Sequence, residues 1–296
     1  ANGTVAIGYQ SLDALTSGAG NVAIGYQSQN VITVGAQNTT LGYDSLPLDV
    51  GGKRTTAIGN SAARQQDGGD TATNMDNVAV GHAALYYNIT GTNNVAIGQG
   101  AAYGSSGQSH SNNVAVGKNA LTAITTGGNN VAIGSSAGDS TTTGNDNILI
   151  GKDAGQANVS GDEIIAIGTG AGYNLNHDTD NDGAVLIGYK AGYNLSAGGG
   201  GGTFIGWHAG EKADAGTVNA IYNTYVGDSV GRFIDDGTHN TAIGYNAMRS
   251  ADADVQNANN NTAVGANALL NITDGDNNVA VGSSALAEHT TGGNNI

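Results

Sequence analysis

A short phrase, Asn-Val-Ala-Ile-Gly, returns throughout this chain, and that recurrence limits the fold more than any other feature. Its glycine stands at Gly8, Gly25, Gly42, Gly59, Gly81, Gly98, Gly117, Gly134, Gly151, Gly168, Gly188, Gly206, Gly227, Gly244, Gly265 and Gly282. Nine of the fifteen intervals are 17 residues, the others run from 18 to 22, and none is shorter. A minimum period with occasional additions is the mark of a solenoid whose coils tolerate longer loops. Composition alone would argue for disorder, since 50 glycines accompany one proline, one tryptophan and two phenylalanines in 296 residues. Strict periodicity overrides that reading, and the scarcity of large apolar residues requires a thin core.

The residue before each glycine is aliphatic, and the residue two places earlier is Val, Ile or Thr, as in Val5-Ala6-Ile7 and Thr56-Ala57-Ile58. This alternation of β-branched residues predicts a short strand with the flanking pair facing inward. The middle residue is Ala in eleven repeats, with Leu149, Leu186, Phe204 and Tyr225 among the exceptions. A strand apolar on both faces is buried on both. The outward face is therefore expected to pack against other copies of the chain through Ala6, Ala23, Ala96, Ala132, Leu149, Leu186, Phe204 and Tyr225. The strand glycine suits a turn at positive φ. A second apolar site follows, Ala or Ser and then Leu or Gly, as in Ala120-Leu121 and Ala154-Gly155. Asn opens the strand in eleven repeats, so stacked coils are expected to align these amides in a ladder. The expected fold class is all-β: a tandem-repeat parallel β-solenoid, or β-roll, of about 17 residues per coil and 16 coils. It forms one repeat domain over residues 1–296, a homotrimeric rod and a segment of a longer fibre protein.

The phrase Asn-Val-Ala-Ile-Gly-x-x-Ser/Ala resembles the head repeats of trimeric autotransporter adhesins, the YadA-like heads. It is equally similar to the Asn-Val-Ala-Ile-Gly-Tyr-x-Ala-Leu repeats of phage tail fibres, best seen at Gly25-Tyr26-Gln27-Ser28 and Gly244-Tyr245-Asn246-Ala247-Met248. The resemblance covers essentially the whole chain. It implies a left-handed parallel β-roll, three chains along one axis, and attachment to a host receptor or glycan from a virion fibre or bacterial cell surface. A purely structural shaft and an ice-binding solenoid are the alternatives. The second rests on Thr16, Thr125, Thr142, Thr273 and Thr290, which share one coil position.

Nine Lys and Arg against 24 Asp and Glu leave a net charge of −15, which repels phosphate backbones and argues against a nucleic-acid partner. No stretch approaches a membrane span, so direct membrane insertion is not expected. Without cysteine there are no disulfides or thiolate metal sites, which is compatible with an extracellular location. Six histidines fall at no metal-ligand spacing, and no Ser/His/Asp set recurs, so no enzyme is expected. Two binding features stand out. Asp178, Asp180 and Asp182, followed by Gly183, resemble the start of a calcium loop, with a solvated acidic loop as the plain alternative. Tyr9, Tyr26, Tyr43, Tyr189, Trp207 and Tyr245 each follow a strand glycine and form a candidate glycan-stacking stripe, or else cover a coil edge or an inter-chain groove. Finally, the longer intervals predict that Gln65 to Asp76, Glu211 to Tyr222 and Arg249 to Asn260 project as loops.

Overall fold

A computed structural model describes residues 3–175, 183–195, 201–212, 222–234, 236–250 and 257–296. The chain divides into two compact units, Ala1–Asn145 and Asp146–Ile296. Both are parallel β-solenoids built on the repeat, and among the described residues there is no helix. Each repeat contributes one three-residue strand, eight in each unit. In the first unit these run from Val5–Ile7 to Val131–Ile133, and in the second from Ile148–Ile150 to Val279–Val281. Pairing within each unit is parallel and in strict register, so Val5, Ala6 and Ile7 face Val22, Ala23 and Ile24, and Thr262, Ala263 and Val264 face Val279, Ala280 and Val281.

The strand faces are the reverse of the sequence expectation. Middle residues point into the coil: Ala23, Ala96, Ala132, Leu149, Leu186, Phe204 and Tyr225 are all fully buried within the single chain. Ala6 shares their register but is exposed on the first coil. None of the seven buried residues is therefore presented to a second copy. The flanking Val, Ile and Thr pairs face outward, half-buried or exposed. The physical reason lies six residues on from the strand centre. There the chain doubles back, and a side chain such as Leu46, Leu85 or Leu121 is fully buried in the same narrow interior. A small strand centre leaves room for it.

The turn that makes this possible uses three unusual backbone positions per coil. Strand glycines have φ between 128° and 146°, a region closed to side chains. At Gly59 a Cβ would also lie 2.5 Å from the carbonyl oxygen of Gly81 in the next coil. Two and four residues later the chain is left-handed again, often with non-glycine residues, as at Asn119 (φ 58°) and Leu121 (φ 51°). The second apolar site is thus a tight left-handed corner. A left-handed conformation costs a non-glycine residue about 1–2 kcal/mol, and burial of the Leu side chain offsets it.

Asparagines close the coil. In the first unit Asn113 Nδ2 donates to Gly127 O (3.0 Å), while its Oδ1 accepts from the backbone N–H of Asn130 (3.0 Å). In the second unit Asn261 donates to Gly275 O (2.8 Å) and accepts from Asn278 N (2.9 Å). The ladder thus runs chiefly from side chain to backbone, with amide-to-amide bonds as a secondary feature, for example Asn130 Nδ2 to Asn113 Oδ1 at 3.1 Å. Thr4, Thr55, Ile164, Ala184 and Gly202 stand at the five strand-opening positions that carry no Asn.

The first insertion also differs from expectation. Gln66 and Met75 are buried, and Thr73–Asn74 pairs in parallel with Gly52–Lys53 as a small second sheet. Only residues 70–74 stand fully exposed. Residues 213–221 and 251–256, which belong to the other two insertions, lie outside the described residues.

Candidate functional site

The outward strand positions form an aliphatic face on each unit. The residue before the strand glycine is Ile, Leu or Val in all sixteen repeats, and its partner two places earlier is Val, Ile or Thr. No charged side chain occupies either row. Within the first unit Ile97 and Ile133 are each 39% exposed, and within the second Ile148 and Ile243 stand at 37% and 42%. Parallel register places each residue beside its counterpart about 4.8 Å away, so the rows are continuous along a unit. Over eight strands the face is about 38 Å long.

Aromatic side chains border this face. Tyr9, Tyr26 and Tyr43 form a stack with ring centroids 5.2 and 5.0 Å apart and interplanar angles of 17° and 5°. Their faces are spent largely on one another, so the stack offers solvent mainly ring edges and hydroxyls. Tyr189 and Trp207 pair at 6.3 Å, and Tyr245 is 56% exposed. The six aromatics of the expected stripe therefore fall into three groups.

Beside Trp207 lies a group of four charged or titratable side chains. Glu211 Oε2 accepts from Arg232 Nε (2.7 Å) and lies 2.6 Å from His208 Nδ1, while Lys190 Nζ is 3.6 Å from Oε1. Burial works to raise the Glu211 pKa, but the Arg232 hydrogen bond and the nearby His208 outweigh it, and the carboxyl sits below its ordinary range. Burial also lowers the His208 pKa, against the pull of Glu211.

Sequence reasoning missed a polar interior in the first unit. Asp49 is fully buried, and its carboxylate accepts from the backbone N–H groups of Gly52 (2.7 Å) and Gly68 (2.9 Å) and from Gln66 Nε2 (2.8 Å). Burial raises its pKa despite those bonds. Further along, Asn88 Oδ1 accepts from the His110 backbone, and the His110 ring is buried. The readable signal was the corner that holds Ile32 and Ile124 in other coils and holds Asp49, Gln66 and Asn88 here.

Asp178, Asp180 and Asp182 lie outside the described residues. Among the described residues no three His, Asp or Glu side chains converge as metal ligands, and no helix is long and apolar enough to cross a membrane. The hydroxyls of Thr16, Thr125 and Thr273 each donate to the carbonyl of the equivalent Thr in the next coil, namely Thr33, Thr142 and Thr290, at 2.9 to 3.0 Å. They are committed to coil stacking rather than held as a free hydroxyl plane. No family model, curated protein or solved structure matches this chain.

Proposed function

We propose that the chain is a structural and adhesive segment of a homotrimeric fibre, carried outside the cell on a virion or bacterial surface, that attaches to a host receptor or glycan. The observation that carries this reading is the charge-free aliphatic face. Copies bearing a net charge of −15 repel one another over most of their surface. Two uncharged rows, repeated in every strand, are where like chains meet without like charges. A strip about 38 Å long and about 10 Å wide covers about 400 Å² on each unit. Apolar patches of that size mark interaction sites. The three-chain count and the attachment role come from the likeness to adhesin heads and tail fibres. No step of catalysis enters the proposal.

Light scattering on the eluting protein tests the assembly, and the expected mass is three times 29.2 kDa. Ile97→Asp combined with Ile133→Asp should shift the mass toward 29.2 kDa while the β-type circular dichroism persists. A wild-type chain that stays monomeric at 29.2 kDa and micromolar concentration overturns the proposal.

A further inference from the structure

We propose that two notches, one in each unit, each hold a single pyranose residue of a glycan; the proposal rests on the attachment reading above and gives it a site. The notches share a construction. Two residues after the strand glycine, fourteen of the sixteen repeats carry a side chain, and the two exceptions are Gly100 and Gly170. Three residues further on, both of these repeats carry Tyr, giving Gly98-Gln99-Gly100-Ala101-Ala102-Tyr103 and Gly168-Thr169-Gly170-Ala171-Gly172-Tyr173. Each of these tyrosines stacks on a second one in an adjacent coil, Tyr103 on Tyr86 at 5.0 Å and Tyr173 on Tyr193 at 4.8 Å. A recess opens at each glycine, about 240 Å³ in the first unit and about 130 Å³ in the second.

The glycines are not required by the backbone. Their φ angles of 64° and 66° match positions filled elsewhere by Asn119 (58°), Asn246 (54°) and Asn267 (58°). What glycine supplies is space. At Gly170 a Cβ would lie 3.2 Å from the Tyr193 ring, and at Gly100 it would lie 2.9 Å from Asn119 Oδ1.

The lining specifies the ligand class. In the first notch the Tyr103 ring is joined by His82, Gln99, Asn119 and Thr122. In the second, Tyr173, Tyr189 and Tyr193 are joined by Asp153, Thr169 and Lys190. An aromatic wall with amide, hydroxyl and charged groups around it suits a ring that has an apolar C–H face and hydroxyls at its edge. A free anion is disfavoured by the net charge of −15, and a metal ion by the presence of one carboxylate at most. The recesses are too small for a folded partner. None of the lining residues belongs to the outward strand pairs.

Saturation-transfer NMR with the methyl glycosides of glucose, galactose, mannose, N-acetylglucosamine and N-acetylgalactosamine tests the site on the full chain. At least one should receive saturation from the wild-type protein. Gly100→Asn with Gly170→Asn installs a side chain that other coils accept at the same backbone geometry. This double variant should lose the transfer at least tenfold with an unchanged melting temperature. If it melts early, Thr122→Lys with Tyr173→Ala serves as the second probe and should give the same loss. Transfer to none of the five glycosides, or transfer undiminished in whichever variant retains the wild-type melt, overturns the proposal. The mass of the same samples, measured by light scattering, reports separately on the trimeric reading, so either idea can fail alone.

Discussion

Two kinds of coil fill the same cross-section in opposite ways. Where the strand centre is Ala, the left-handed corner six residues later usually carries a large side chain, as in Ala79 with Leu85, Ala115 with Leu121, Ala242 with Met248 and Ala263 with Leu269. Where the centre is large, the corner is always glycine: Leu149 with Gly155, Leu186 with Gly192, Phe204 with Gly210 and Tyr225 with Gly231. A Cβ on Gly155 would lie 2.6 Å from Leu149 Cδ2, on Gly192 2.8 Å from Leu186 Cδ2, and on Gly210 2.9 Å from Phe204 Cδ2. In these coils one volume is therefore shared between the two positions. The two solutions differ in strain. The Leu-corner coils hold a left-handed Leu, whereas the Gly-corner coils place no side chain there and gain a large one on a strand, as in the Phe204–Tyr225 stack at 5.1 Å.

The largest effect should come from forcing both solutions into one coil. Gly231→Leu meets the Tyr225 ring directly. Tyr225→Ala leaves an unfilled cavity and should cost about 3–5 kcal/mol. The double variant Tyr225→Ala/Gly231→Leu converts the coil to the other type and should recover most of the loss. A double-mutant cycle by urea unfolding reads the coupling. Additive costs would show that the two positions do not share space.

A smaller effect distinguishes the polar interior of the first unit from both apolar types. Burial pushes the His110 pKa down to about 4, against 6.5 for a free histidine. Between these values the unfolded chain takes up a proton that the folded chain refuses, so stability is full above about pH 6.5 and falls by about 3 kcal/mol as the pH approaches 4. Asp49, whose pKa is raised by burial, works in the opposite direction and softens the slope. His110→Gln should flatten the acid limb in urea melts at pH 7, 5 and 4. An unchanged limb would assign it to other groups.

The period, the strands, the glycine turn and the Asn ladder were all legible because each repeats with its chemistry intact. Which strand face looks inward was not. A strand apolar on both sides looks the same from either side, and β-branched flanks suggested a core that Val5 and Ile7, both exposed, do not form. The pairing of large centres with corner glycines was nevertheless present in the sequence, and it is a signal that identifies the inner residue. The aromatic stripe was legible as positions but not as stacks, since ring orientation depends on side-chain torsions. The notches needed the structure too, because a missing side chain makes a recess only where its neighbours leave the space open.

Asn261→Ala comes next in size and asks whether the ladder supports both kinds of coil equally. The change leaves the Asn278 N–H and the Gly275 carbonyl without their partner, and should cost about 2 kcal/mol. Ile164 shows that a coil can dispense with the amide where large apolar side chains such as Leu149 and Leu186 lie nearby in the sequence. Asn147→Ala, in the coil of Leu149, should therefore cost less than Asn261→Ala. Equal costs in thermal melts would separate the ladder from the packing type.

The smallest net effect is expected where the swap is made in the reverse direction. Ala263 and Leu269 are both fully buried, and Leu269 holds φ at 51°. Ala263→Leu alone overpacks the coil, and Leu269→Gly alone empties it. Together they move one side chain of the same size from the corner to the strand centre, where Leu149 and Leu186 already sit against glycine corners. Volume-conserving exchanges in a core usually cost less than about 1.5 kcal/mol. Removing Leu from the left-handed position returns about 1–2 kcal/mol of strain, while the added glycine gives back roughly 0.5–1 kcal/mol through the entropy of the unfolded chain. The double variant should therefore unfold within about 1 kcal/mol of wild type, although each single variant is clearly weaker. A double variant as unstable as the worse single one would mean that neighbouring coils dictate the packing type, and that each coil is not free to choose its own.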